Sequence, residues 1–219
     1  MDGVDLTGTD GAVEVLAVDG DEISIGIVNP DGSRAEMSGN GTRIAAAWLM
    51  ARTGSTRALV HVGSMTVRVR RTGDGVYESE FDAVEVSEPE LVDGIELTRV
   101  IVGNPHAVVL GDPSEIGRLG PRLEKHPRFP ERTNVQVARV DAPGEVTARV
   151  WERGVGETEA SGTSAVAVAA ATHREGDVVV HFPGGDLLVR LAAGRAWLRG
   201  PAVPLDELPD SGHETGADA

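Results

Sequence analysis

Two stretches decide how this chain is read: Glu36 to Leu49, E-M-S-G-N-G-T-R-I-A-A-A-W-L, and Glu159 to Ala171, E-A-S-G-T-S-A-V-A-V-A-A-A. Each carries an acid, one spacer, Ser-Gly, a small polar turn and then an Ala-rich apolar run, which reads as a helix. The likeness continues downstream. Gly54 to Arg70 and Gly176 to Leu191 both read as Gly, strand, His, a Gly-containing turn and an alternating strand ending around Arg. Matched stretches of this kind predict two halves of like fold. The first would run over 1–96 and the second over 97–206, with Val86 to Gly94 as the linker. The acidic, Gly- and Asp-rich stretch 207–219 reads as a disordered tail.

Period-two alternation predicts strands over Ala12–Ala17, Glu22–Val28, Ala58–Val62, Met65–Arg71, Val76–Phe81, Asn134–Val140 and Glu145–Trp151. Shorter apolar runs predict strands at Arg99–Val102, His106–Leu110, Val178–Phe182, Asp186–Leu191 and Arg195–Leu198. Asn29-Pro30-Asp31-Gly32 is turn chemistry. Helices are expected over Ile44–Met50, ending near Gly54, and over Ala165–His173. A third is expected over Ser114–Glu124, capped by Ser114.

Composition narrows the function. The 219 residues carry a formal charge of -15, which argues against a nucleic-acid groove or an anionic membrane surface. No apolar run is long enough for a membrane span and no secretion signal is legible, so a cytoplasmic place is expected. There is no cysteine, hence no disulfide, thiolate metal site or thiol nucleophile. The six histidines lack the spacing of a zinc site, and no metal or cofactor is expected. The expected partner is a small amino acid, with the chain as a homodimer.

A serine at a helix mouth most often caps it. Gly39-Asn40-Gly41 asks for more than a cap, because close approach of backbone N–H groups to an anion needs such a loop. Two such turns facing each other would grip one carboxylate from both sides and hold one side chain on each face of the neighbouring carbon. Other motifs have plain structural readings beside functional ones. Gly103-Asn104-Pro105-His106 is a strand-breaking turn with a satisfied histidine or part of a polar site. Asn134 in R-T-N-V is turn chemistry or a ligand donor. Glu152-Arg153 is a surface ion pair, contributing under ~1 kcal/mol, or a site pair standing just before Ser161.

These residues together resemble the diaminopimelate epimerase family over nearly the whole chain. The carriers are N-P-D-G-S, S-G-N-G-T-R, G-N-P-H-A-V-V, L-G-P-R-L-E-K-H-P-R-F-P-E-R-T-N-V, E-R-G-V-G-E-T-E-A-S-G-T and L-R-G-P-A. The resemblance implies an α/β (α+β) fold of two pseudo-symmetric halves, each a mostly antiparallel sheet wrapped around a central helix, with the site between them. It implies a cofactor-free, two-base inversion of the α-carbon of LL-diaminopimelate to the meso form, in lysine and peptidoglycan precursor synthesis. Carried over residue by residue, it places Gly39, Asn40, Gly162 and Thr163 at the α-carboxylate. Asn29, Asn104, Asn134 and Arg153 fall at the distal end of the substrate, and His106 and Glu152 form a polar pair near the catalytic centre.

Two departures bear on mechanism. The family's catalytic pair is cysteine, and here it is Ser38 and Ser161. A thiol ionises near pH ~8.5, lower still at a helix N-terminus, whereas a hydroxyl needs a neighbouring base. The family also begins with a strand and a Gly-rich, Asn-containing loop, and this sequence starts after them. Three functions are therefore expected in descending order: an epimerase using the two serines, a homologue that binds an amino acid without inverting it, and a serine hydrolase. The last lacks a nucleophile elbow.

Overall fold

The computed structural model describes residues 11–29 and 32–203; the stretch expected to be a tail, 207–219, lies outside them. The first half runs β1 (Ala12–Asp19), β2 (Glu22–Val28), β3 (Arg34–Ala35), α1 (Gly39–Thr53), β4 (Arg57–Val62), β5 (Met65–Gly73) and β6 (Val76–Phe81). Then come β7 (Glu85–Val86), β8 (Glu90–Val92), β9 (Ile95–Ile101), β10 (Pro105–Leu110), a 3-10 turn (Pro113–Glu115) and α2 (Ile116–Glu124). The described residues close with β11 (Asn134–Ala142), β12 (Glu145–Glu152), β13 (Gly156–Thr158), α3 (Gly162–Thr172), β14 (Gly176–Phe182), β15 (Gly185–Ala192) and β16 (Arg195–Pro201).

The pairing repeats. In the first half β1 lies antiparallel to β2, β2 parallel to β4, and β5 and β6 follow antiparallel. In the second half β11, β12, β14, β15 and β16 stand in the same relations. The matched parallel steps, β2 to β4 and β12 to β14, each span a helix, because parallel neighbours need a crossover connection; β10 and β11 are parallel too, joined through α2. The short strands β3 and β13 hang on β2 and β12 alike. Where the halves meet, β6 and β16 pair antiparallel, so the sheet runs unbroken from one half into the other. The second half adds β10, β9 and β7 beyond β11.

Alternation in the strands becomes one-sided burial. Ala58, Val60 and Val62 of β4 face inward, as do Val178, Val180 and Phe182 of β14. Against β14 and its neighbours in the second half α3 presents Ala165, Val166, Ala167, Val168 and Ala169, all 0% exposed. A helix apolar on every side belongs at the centre, and small residues let the sheet close round it. In α1 the buried face is Ala45, Ala46, Leu49 and Met50, while Ile44 and Trp48 stay exposed. Gly54 ends this helix with φ 74, a left-handed conformation that glycine adopts without strain. A second apolar cluster packs Ile116, Leu119 and Leu123 of α2 on Leu97, Val109 and Val137.

Two expectations need correction. Val86 to Gly94 is no linker: β7 and β8 both pair with β9. A boundary at 96/97 would fall inside β9 (Ile95–Ile101). Two- and three-residue strands leave no periodic signal, which is why this stretch reads as a connector. The cap at residue 112 also differs. Asp112, not Ser114, caps the turn, its Oδ1 accepting from Ser114 N at 3.0 Å with Pro113 in the first turn.

Candidate active site

Each Ser-Gly turn places its serine just before a helix. Ser38 has φ -141 and Ser161 φ -142, both extended. The Ser38 carbonyl accepts from Thr42 N at 2.9 Å and the Ser161 carbonyl from Ala165 N at 3.0 Å. The hydroxyls differ. Ser38 Oγ accepts from Gly41 N at 3.1 Å, whereas Ser161 makes no capping bond with its side chain.

The two helix mouths touch. A Cβ on Gly39 would lie 2.9 Å from Gly162 Cα and 3.0 Å from Thr163 N, and one on Gly162 would lie 3.1 Å from Gly39 Cα. Only glycine on both sides permits this approach. It brings the unpaired N–H groups and the positive ends of α1 and α3 to one point, an arrangement suited to a single anion.

A cavity of about 410 Å³ opens at this junction. Of the residues expected in a site, Asn29, Ser38, Asn40, Asn104, Asn134, Glu152, Arg153, Ser161 and Gly162 line it. Gly39, Thr163 and His106 are not among its lining residues. Asn29 and Glu152 stand in corresponding places, Asn29 directly after β2 and Glu152 at the end of β12.

His106 lies 1% exposed on β10, beneath Asn104. Its Nε2 lies 2.8 Å from Asn104 Oδ1 and its Nδ1 3.0 Å from Gln136 Nε2. Gln136 Nε2 can only donate, so Nδ1 accepts and Nε2–H donates to Asn104. Gln136 also donates to Ser164 Oγ at 2.9 Å. Burial first, and then the positive charge of Arg153, pull the imidazole pKa from 6.5 to about 3, so the ring is neutral near pH 7. The histidine thus orients Asn104, whose Nδ2 reaches towards Thr163 Oγ1 at 3.5 Å.

The distal wall is braced in the same way. Asn134 donates to Pro105 O at 2.9 Å and accepts from Arg153 N at 2.9 Å. The Arg153 guanidinium donates to Glu131 O at 3.0 Å and pairs across the cleft with Glu36. Glu152 Oε1 accepts from Thr158 Oγ1 at 2.6 Å. Sequence reasoning assigned no role to Glu36, Arg43, Glu124 or Gln136. Arg43 closes the S-G-N-G-T-R motif and Glu124 sits in L-E-K-H-P, but a charged residue in a motif looks like any solvated charge until its burial is known.

Two like halves meeting over a pocket at paired helix mouths define a fold shared with amino-acid epimerases and racemases. A predicted epimerase of Pseudomonas aeruginosa superposes with a TM-score of 0.69 at 20% identity, over 88% of this chain and 81% of that one. A hydroxyproline epimerase of Agrobacterium vitis, solved with trans-4-hydroxy-L-proline, gives 0.66 at 15% identity, over 87% and 71%. In sequence, residues 98–203 match the family model described as diaminopimelate epimerase. The diaminopimelate epimerase of Desulfitobacterium hafniense is 37% identical over 90% of this chain and 80% of its own length. That of Methanothermobacter thermautotrophicus is 35% identical over 83% and 74%. The chain belongs to the diaminopimelate epimerase family.

Proposed function

We propose that the chain inverts the α-carbon of LL-diaminopimelate to the meso form, supplying lysine and peptidoglycan precursor synthesis. The observation that carries this reading is the contact between the mouths of α1 and α3, with Ser38 and Ser161 at their entrances. The N–H groups of Gly39, Asn40, Gly162 and Thr163 hold the α-carboxylate. Ser38 and Ser161 then stand on opposite faces of the α-carbon. One oxygen takes the proton and the other returns one. Glu152, which lines the cavity, is the base that makes a hydroxyl competent. Asn29, Asn104, Asn134 and Arg153 receive the distal carboxylate and ammonium, which need donors and acceptors together.

The reading places the chain in the cytoplasm, where such precursors are made, and as a homodimer. Exposed apolar Val15, Leu16 and Val18 along β1 support a second copy; sedimentation showing monomer alone would remove that part. A second reading, an amino-acid-binding homologue without turnover, is favoured by one observation: both ring nitrogens of His106 are engaged, leaving Glu152 to activate two weakly acidic hydroxyls.

Exchange of the α-proton in D2O, followed by NMR, separates the two. The epimerase reading expects exchange by the parent chain, faster in Ser38→Cys/Ser161→Cys and lost in Ser38→Ala. A parent that binds diaminopimelate but exchanges nothing, beside an active double-cysteine variant, leaves the binding homologue. Absence of binding at millimolar diaminopimelate sinks both.

A further inference from the structure

Among the described residues, one buried charge in α1 has no counter-ion. Arg43 is 4% exposed, and among the described residues it pairs with no carboxylate. Its acceptors are neutral oxygens: Asn40 Oδ1 at 2.7 Å from Nη2, Gly39 O at 3.3 Å from Nη1 and Pro201 O at 3.4 Å from Nε. Burial lowers its pKa from 12.5 to about 10, so the group is still a cation at neutral pH. A buried charge held only by dipoles is destabilising unless an anion completes it.

Its location says where that anion belongs. A Cβ on Gly162 would lie 3.1 Å from Arg43 Nη1, and one on Gly200 would lie 3.3 Å from Arg43 Cζ. The guanidinium therefore fills the space directly behind the two touching helix mouths, with Gly162 between it and the cavity. It also sets the Asn40 amide. With Oδ1 taken by Nη2, the NH2 group is left as the donor.

We infer that Arg43 is a positioning residue of the carboxylate cradle. Its guanidinium orients Asn40 and supplies a fixed positive charge behind the paired mouths, for which the α-carboxylate of a bound amino acid is the counter-ion. This rests on the amino-acid reading above and deepens it. Removal of the α-proton spreads negative charge into the carboxylate, so the same cation acts more strongly as the reaction proceeds.

Three variants test it, with calorimetric affinity for meso-diaminopimelate, α-proton exchange at saturating ligand and thermal unfolding as readouts. Arg43→Met should weaken binding by about ten- to a hundredfold, as loss of a charged partner does, and slow exchange at saturation as well. Arg43→Lys keeps the charge and should recover most of both. Asn40→Asp places a permanent carboxylate against Arg43. It should raise the melting temperature while weakening diaminopimelate, because the vacancy for an anion is filled from within. A folded Arg43→Met with parental affinity, or an Asn40→Asp that melts no higher than the parent, overturns the inference. If Arg43→Met does not fold, Asn40→Asp decides. A parent that binds no diaminopimelate refutes the amino-acid reading instead, and the melting temperature of Asn40→Asp still reports whether Arg43 lacks a counter-ion.

Discussion

Glu124 has a side chain only 4% exposed, yet three donors meet its two oxygens. Trp151 Nε1 and Gly154 N each reach it at 2.9 Å, and Arg132 completes the set. Burial pushes its pKa upward, but the bonds from Trp151, Gly154 and Arg132 outweigh this and hold the carboxyl below its ordinary range. Arg132 and Gly154 line the cavity, so one carboxylate fixes two of its walls. Glu124→Leu should cost about 3–5 kcal/mol in urea unfolding, since it strands a partly buried guanidinium and two N–H groups. A loss below about 1 kcal/mol would show that water replaces the carboxylate there. His106 makes the acid limb steeper. Its pKa is 6.5 when exposed and about 3 in the fold, so between those values the unfolded chain binds a proton that the folded chain refuses. Stability then falls as pH drops from 6.5 towards 3. Glu124 adds to the same limb, its contribution present above the ordinary carboxylate pKa and lost as pH falls through the lowered one. Denaturant midpoints across that range should decline less in His106→Gln than in the parent; equal slopes would refute the assignment. These residues were legible by type but not by role, because sequence marks a histidine or a glutamate without saying which is sealed from water.

At the scale of elements, the contact between α1 and α3 is the sharpest constraint. Gly39→Ala puts a methyl carbon against backbone on the other helix, where no side chain can swing aside. The mouths must part, at a cost of about 1–3 kcal/mol for overpacking. Diaminopimelate affinity should fall with it, measured by calorimetry; unchanged affinity would mean the cradle tolerates separation. The matched hairpins offer a second test. His61 on β4 lies 3.1 Å from Glu22 Oε2 and 3.0 Å from Thr66 Oγ1. His181 on β14 lies 2.5 Å from Glu145 Oε2 and 2.8 Å from Asp186 Oδ1. Bonds to Asp186 and Glu145 raise the His181 pKa. A raised histidine stabilises fully below its unfolded pKa, and that contribution fades as pH rises through the folded one. His181→Gln should therefore flatten a decline in melting temperature above about pH 6.5; an unchanged decline would refute the assignment. Most strands were readable to within a residue or two because one face is buried, as in β2, β4 and β12; β1 alternates without a buried face. Helices α1 and α3 begin earlier than their apolar runs, since Gly39, Asn40 and Gly162 are poor helix formers held by capping and contact instead.

The whole molecule is knit by its last strand. β16 pairs with β6 in the middle of the continuous sheet, and it buries Ala196 and Leu198 completely. A chain ending before Arg195 should lose cooperative folding altogether, seen as a missing near-ultraviolet circular dichroism signal and no thermal transition. A truncated chain with a sharp transition would show that the halves fold separately. The twofold repeat was visible in sequence through its Ser-Gly turns and histidines, but this pairing was not, because alternation reports a strand and not its neighbour. The touching glycines carry one more consequence. The like halves meet there, Gly39 of one against Gly162 of the other, and each brings a serine at a helix entrance to the junction. The likeness stops close by: Ser38 Oγ holds Gly41 N while Ser161 Oγ makes no capping bond, and Asn29 of one half stands where Glu152 stands in the other, so the two sides of the junction present unlike groups.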